Sequence, residues 1–245
     1  MTKIDLSLIL ACYNEGPTFE KSVVQIVSVL NKLKNPWEII FVEDQSTDET
    51  KKSIEKLIRE IKNSRVIFHS KNTGRGKSVA DGLKAAKGEV CGYLDVDLEV
   101  SPTYIPLFVK EVENGSDLVV GKRFYENSLD SISRVIASKL YATAVKSFLN
   151  LPIEDTEAGY KFFNRKRILS VLPKVKNKHW FWDTEICAQA YWAGLKITQV
   201  PVLFKRRVDK KSTVRLIPDT IDYVKSLVKL KSQMSNFKSQ TNPKF

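Results

Sequence analysis

The sequence predicts an α/β protein, a mostly parallel β-sheet flanked by helices, and three observations carry that prediction. Apolar runs alternate with segments of helical periodicity from Leu6 to Leu94, the pattern of a parallel sheet covered by helices on both faces. The runs are nearly continuous rather than alternating, as strands buried on two sides require. Acid-rich loops follow them at residues 11–16, 43–48 and 95–99, and in open parallel sheets ligands bind beyond the carboxyl ends of the strands.

Leu6 to Leu10 is the first strand, with Ser7 alone polar, and it leads into Ala11-Cys12-Tyr13-Asn14-Glu15-Gly16-Pro17. Pro17 suits the first turn of a helix, and Phe19, Val23, Ile26, Val27, Leu30 and Leu33 recur at helical spacing until Asn35-Pro36. Trp37 to Val42 is the second strand. Ser46 or Thr47 is the expected N-cap of the next helix, whose Ile54, Leu57, Ile58 and Ile61 share a face. Val66 to Phe68 is a third strand, and Asn72 to Ser78 opens a helix running to about Lys87, stopped by Gly88. Val90 to Leu94 is the fourth strand.

Beyond Val100 the rhythm changes. Leu118 to Gly121 is a brief strand ending in Lys122-Arg123-Phe124, and a helix is expected from Ser131 to Leu149, with Arg134 and Ser138 on one face. Ile153 to Phe163 contains Asp155-Thr156-Glu157-Ala158-Gly159-Tyr160, His179 to Ala193 is rich in aromatics, and Lys196 to Phe204 is a late strand. A basic cluster beginning Lys205-Arg206-Arg207 follows. The last helix, Ile217 to Met234, sets Ile221, Val224, Leu227 and Leu230 against Lys225, Lys229 and Lys231. The expected organisation is one domain over residues 1–215 and a basic amphipathic helix with a polar tail over 216–245.

At 245 residues, 42% hydrophobic and 28% charged, the chain has the composition of a soluble globular protein. No apolar segment approaches the ~18 residues of a membrane span, and a cytoplasmic location is expected. Cys12, Cys91 and Cys187 are too far apart for a zinc site or a disulfide framework. The net charge of +12 is lopsided: residues 161–245 hold 19 Lys and Arg against 5 Asp and Glu, whereas residues 1–160 hold 21 against 23. Such an excess attracts polyanions: nucleic acid, an anionic membrane or phosphorylated substrates. With no nucleic-acid-binding motif, a nucleic-acid module is the remote reading.

Asp95 and Asp97 stand one residue apart after an apolar run. Alternate strand side chains share a face, so the two can aim oxygen ligands at one divalent cation. Hard cations such as Mg²⁺ take few protein carboxylates and complete their shell with water and phosphate oxygens, which makes a diphosphate the expected partner. Gly76-Lys77-Ser78 imitates the end of a P-loop, but Lys71 stands where the pattern needs Gly, and Val79 breaks a dinucleotide fingerprint.

Taken together, Tyr13-Asn14-Glu15, Val42 to Thr50, Gly74-Arg75-Gly76-Lys77 and Asp95-Val96-Asp97-Leu98-Glu99 occur in the order and spacing of inverting GT-A glycosyltransferases. More narrowly, the chain resembles polyprenyl-phosphate sugar synthases of the dolichol-phosphate mannose synthase type, over about residues 6–215. The resemblance implies that Ala11, Tyr13, Glu15 and Lys77 border the nucleotide sugar, that Asp44 reads its base or ribose, and that Asp95, Asp97 and Glu99 hold Mg²⁺ or Mn²⁺ against the diphosphate. Glu99 stands where this group commonly has Gln. Arg123, Arg134, Ser138 and Arg207 match positions associated with the acceptor phosphate and the diphosphate, and Ser212 falls in the corresponding terminal motif. Ala11 and Cys12 in place of Pro-Thr, Glu43 in place of the first of two Asp, and Lys210 and Thr213 in place of Gly and Lys bear on donor identity.

The reaction so implied moves a hexose, with inversion, from a GDP-mannose- or UDP-glucose-type donor to a polyprenyl (dolichyl) monophosphate, with Asp95, Asp97 and Arg123 as the catalytic residues. A metal neutralises charge developing on the leaving diphosphate. A phosphate acceptor is already anionic and needs aim rather than a base, a task that suits arginine. An alternative is a hydroxyl acceptor, in polysaccharide or glycolipid synthesis, with Asp155 or Asp183 as base. A polyprenyl substrate also implies docking on the cytoplasmic face of an anionic membrane through the helices at 131–149 and 217–234; similar chains carry further spanning helices or use a separate membrane-anchoring subunit.

Overall fold

Strand β1 (Leu6–Cys12) is buried along nearly its whole length, with β2 (Trp37–Glu43) parallel on one side and β4 (Val90–Leu94) parallel on the other. Beyond β2 lies β3 (Ser64–Phe68), also parallel. The second half of the sheet is made by β5 (Leu118–Tyr125), β6 (Tyr160–Asn164) and β7 (Ile197–Phe204). In the computed structural model, which describes residues 3–125, 145–206 and 222–233, these strands form one sheet ordered β3-β2-β1-β4-β6-β5-β7.

The mostly parallel sheet expected from the sequence is present, with one reversal. β6 runs antiparallel to both β4 and β5, while β7 pairs parallel with β5. After β4 the chain crosses over through α4 (Ile105–Glu113) to β5 and leaves a slot that β6 fills from the opposite direction.

Helices α1 (Phe19–Leu30) and α2 (Thr50–Glu60), with α4, cover one face through Phe19, Val23, Ile26, Ile54, Phe108 and neighbours. Helices α3 (Arg75–Ala85), α5 (Arg165–Val171) and α6 (Trp182–Trp192) cover the other through Val79, Leu83, Ile168 and Ile186. The helical stretch over residues 222–233 packs Leu230 and Leu227 into a smaller cluster with Val145, Leu149 and Phe181.

Two element expectations change. Helix α2 starts at Thr50, not after Ser46 or Thr47, because those residues are drawn into hydrogen bonds with Asn14; Asp48 Oδ1 instead accepts from Thr50 N. Helix α3 ends at Ala85 rather than Lys87 because Ala86 turns extended, which lets Lys87 N reach Glu38 Oε1 (2.9 Å) and Gly88 N reach Ser7 Oγ (2.8 Å).

Candidate active site

The loops after β1 and β2 are stapled to each other. Asn14 N donates to Ser46 Oγ, Glu15 N to Thr50 Oγ1, Gly16 N to Asp48 Oδ2, and Thr47 N returns a bond to Asn14 Oδ1. Asn14 (φ 51°) and Gln45 (φ 62°) take left-handed backbone to allow this, a conformation Asn accepts more readily than most residues. Tyr13 is left exposed at the tip, and Ala11 lies half-buried at the end of β1.

Asp44 is buried at the end of β2 with both oxygens in use. Oδ1 accepts from His69 Nδ1 (2.7 Å), Thr73 N (2.8 Å) and Thr73 Oγ1 (2.9 Å), and Oδ2 from Gly74 N (2.8 Å). Burial alone would raise its pKa, but these bonds hold the carboxyl below its ordinary range. Asp44 thus ties the β2 loop to the start of α3. Gly74 sits there at φ 98° because a side chain would run into His179 and the Lys178 carbonyl, and Lys77, in the first turns of α3, is ion-paired to Asp81.

At the end of β4, Asp95 accepts two bonds on one oxygen, Oδ1, from Arg75 Nε (2.9 Å) and Nη2 (2.6 Å). Arg75 Nη1 reaches back to Asp183 Oδ2 (2.5 Å), and its guanidinium lies 5.4 Å from the Tyr93 ring centre and 5.5 Å from that of Trp180. Asp183, in the first turn of α6, also accepts from Lys161 Nζ (2.7 Å) and the Tyr93 hydroxyl. Burial would push this carboxyl up, but Arg75, Lys161 and Tyr93 hold it below the ordinary range. The lysine within the apolar run of β6 is thereby explained: Lys161 is fully buried as the counter-ion of a buried aspartate, which is how a buried charge is tolerated.

Past Asp95 the chain turns at Leu98 (φ 56°), with Leu98 N bonded to Asp95 O (3.2 Å) and Glu99 N to Asp97 Oδ1 (3.2 Å). Asp95, Asp97, Glu99 and Arg123 line one cavity with Val100, Gly159, Tyr160 and Phe204. Arg123 is clamped by Asp155: Nε donates to Oδ2 (2.7 Å), Nη2 to Oδ1 (2.9 Å) and the backbone N to Oδ2 (3.1 Å). Glu157 lies beside this pair. Burial, with the charges of Asp155 and Asp183, pushes its pKa up to about 7 against the pull of Arg123 and Lys161. Lys205 N donates to Glu99 O (2.7 Å) and Val100 bridges Phe204, so the basic run after β7 begins at the cavity wall.

The structure therefore brings Asp95, Asp97, Glu99 and Arg123 together and sets Ala11, Tyr13, Glu15, Asp44 and Lys77 on the adjoining loops and the α3 start. Arg134, Ser138, Arg207 and Ser212 lie outside the described residues. Among the described residues no three His, Cys, Asp or Glu side chains close on one point as a ready metal cage. The donors present fit a cation that takes one or two carboxylates and finishes its shell with phosphate oxygens and water. Sequence reasoning gave no role to Arg75, Tyr93, Lys161, Glu157 or Gly159, although Arg75 stands in one of the motifs. A lysine inside the apolar run Tyr160 to Phe163 was the available signal.

Comparison with known proteins shows the fold and the family. Glycosyltransferase AglD of Haloferax volcanii is 28% identical over 236 residues, which cover 94% of this chain but 36% of that protein. The chain thus spans about a third of that relative's length. The dolichyl-phosphate beta-glucosyltransferase of Saccharomyces cerevisiae is 27% identical over 248 residues, covering 92% of this chain and 74% of the relative. Glucosyl-3-phosphoglycerate synthase from Mycobacterium tuberculosis, solved with UDP, superposes with a TM-score of 0.70 at 21% identity over 94% of this chain and 80% of the other. The same enzyme with Mn²⁺, UDP-glucose and phosphoglyceric acid gives 0.70 at 20% over the same shares. These structures share the fold of this chain, the GT-A-like sheet that the motifs led us to expect. The model of glycosyl transferase family 2 matches residues 7–170, and the chain belongs to that family of glycosyltransferases.

Proposed function

We propose that the chain transfers a hexose, with inversion, from a nucleotide-diphosphate sugar to a polyprenyl monophosphate at the cytoplasmic face of an anionic membrane. What supports this most is one cavity lined by Asp95, Asp97, Glu99 and Arg123, carboxylates for a divalent cation beside a guanidinium for a phosphate. Of the two donor types, UDP-glucose is favoured over GDP-mannose by the dolichyl-phosphate beta-glucosyltransferases among its relatives; a β product from an α-linked donor also requires inversion.

Asp95 and Asp97 would hold Mg²⁺ or Mn²⁺, which when bound neutralises the departing diphosphate. Arg123, held by Asp155 through Nε and Nη2, keeps donors for an acceptor phosphate oxygen, since guanidinium has five. Arg134, Ser138, Arg207 and Ser212 complete the acceptor site in this reading, and Ala11, Tyr13, Glu15 and Lys77 border the donor. Asp44 supports the donor site from behind by holding Gly74 and Thr73 in place. Among the described residues no helix is long and apolar enough to cross a membrane. The stretch over 222–233 instead buries Leu230 and exposes Val224 (55%) and Val228 (56%) beside Lys225 and Lys229, a face suited to an anionic bilayer.

A hydroxyl acceptor is the second reading. Asp155 and Asp183 are poor bases for it because each is locked in ion pairs. Glu157, beside the Arg123–Asp155 pair and pushed up to about 7 by burial, has the protonation behaviour a general base needs, but it does not line the cavity.

Incubating the protein with labelled UDP-glucose or GDP-mannose, Mn²⁺ and polyprenyl phosphate, then extracting into organic solvent, tests both readings. Label reaching the organic phase with one donor is the expected result. Asp97→Ala should abolish transfer and Arg134→Ala should mainly raise the KM for the lipid. Glu157→Gln should leave transfer to polyprenyl phosphate within about threefold; label reaching a hydroxyl acceptor instead, and lost 10²-fold or more in Glu157→Gln, would favour the second reading.

A further inference from the structure

Arg75 occupies an unusual position for a cation. It donates twice to Asp95 Oδ1, the carboxylate that the proposed function assigns to a metal. It cannot easily swing away, because Asp183 holds Nη1 from behind while Tyr93 and Trp180 lie on its guanidinium. Asp183 is itself fixed by Lys161 and Tyr93. The whole arrangement closes over Gly159, where a Cβ would collide with Asp95 Oδ2 and come 2.7 Å from Arg75 Nη2.

Three consequences follow from charge and donor counting. Arg75 offsets the charge of Asp95, so a bare divalent cation arriving at Oδ2 meets a partly neutralised ligand and a fixed positive neighbour. No third carboxylate closes a cage among the described residues, so the protein alone holds a cation weakly. Of the five N–H donors of Arg75, three are committed to Asp95 and Asp183, which leaves two for an anionic oxygen at the same place.

We propose that Arg75 is a positioning residue that makes cation binding at Asp95 conditional on the nucleotide diphosphate. Its guanidinium repels a bare cation, and the phosphates of the donor offset that repulsion while supplying the missing metal ligands. Arg75 would thereby favour loading of the cation together with the donor over loading of the cation alone. This inference rests on the metal-dependent reading above.

The test is Mn²⁺ binding to the full chain, followed by the EPR signal of free Mn²⁺, with and without UDP or GDP, in wild type, Arg75→Gln, Arg75→Lys and Asp97→Asn. In wild type the nucleotide should tighten Mn²⁺ binding at least tenfold. Arg75→Gln, which removes the charge but keeps a polar planar end, should bind Mn²⁺ alone at least tenfold more tightly than wild type, within the range known for groups that orient metal ligands, and gain correspondingly less from nucleotide, only what the phosphate ligands supply. Arg75→Lys should restore the wild-type pattern, an outcome that loss of structure alone would not produce; its thermal unfolding and that of the Gln variant serve as the folding check. Unchanged or weaker binding of Mn²⁺ alone in Arg75→Gln overturns the proposal. If Arg75→Gln fails to fold, a lysine variant that binds Mn²⁺ equally with and without nucleotide overturns it instead. Mn²⁺ binding that Asp97→Asn leaves intact in both conditions would remove the metal reading itself, and the role of Arg75 with it.

Discussion

Gly159 is the position where one added methyl group would do most harm, because the Asp95–Arg75 ion pair packs directly over its Cα. Gly159→Ala should lower transfer at least 10²-fold and cost about 1–3 kcal/mol of stability, the range for overpacking; wild-type transfer rates in that variant would refute the described packing. Glu157 makes the second case. Its folded pKa of about 7 lies above the ordinary 4.5, so the protonated form is the one the fold favours. The stability it contributes is complete below about pH 4.5 and is lost as pH rises through 7. Glu157→Gln should therefore match wild type in urea unfolding at pH 4 and exceed it by roughly 3 kcal/mol at pH 8; equal stability at both pH values would refute the shift. Neither residue announces itself in sequence. A glycine in a loop and a glutamate among acids are common, and what distinguishes these two is which side chains the fold sets against them.

At the scale of elements, the parallel half was legible, and in the mixed half β5 and β7 were legible but β6 was not. Strands β1, β2 and β4 are nearly continuous apolar runs because helices cover both their faces, and α1 shows its buried Phe19, Val23, Ile26 and Leu30 at helical spacing. Strand β6 hides its nature behind Lys161, whose buried charge has meaning only once Asp183 arrives from α6. The stretch over 222–233 has two apolar edges: Leu230 faces the small cluster with Val145 and Phe181, while Val224 and Val228 remain exposed. Replacing both valines with Glu should reduce co-sedimentation with anionic vesicles at least tenfold while moving the Tm by less than about 2 °C, since exposed positions contribute little to stability. A large fall in Tm would mean that these side chains are packed.

The whole molecule joins an acidic cavity to a basic C-terminal third. The connection is short: Thr156 Oγ1 and Thr184 Oγ1 lie 2.9 Å apart, and Thr184 Oγ1 and the Tyr223 hydroxyl 2.6 Å apart, so the helical stretch over 222–233 is two hydrogen bonds from the loop that carries Asp155. A membrane-docked helix would thus hold the cavity near the lipid phosphate. Because the 19 basic residues beyond position 160 outnumber 5 acidic ones, vesicle binding should weaken steeply between 0.05 and about 0.5 M salt as the Debye length shrinks; salt-independent binding would refute an electrostatic contribution.

By itself the sequence determined the α/β class, the existence of the first four strands and the loops that carry Asp44, Asp95 and Asp97, because apolar periodicity and residue spacing are local properties written along the chain. Only the tertiary structure decided that β6 runs backwards between β4 and β5, that Asp44 spends its carboxylate on the start of α3, and that Arg75 stands between Asp95 and Asp183. Those arrangements depend on which distant charges meet in a low-dielectric interior. Arg75 and Asp183 are 108 positions apart, and no local pattern records such a meeting.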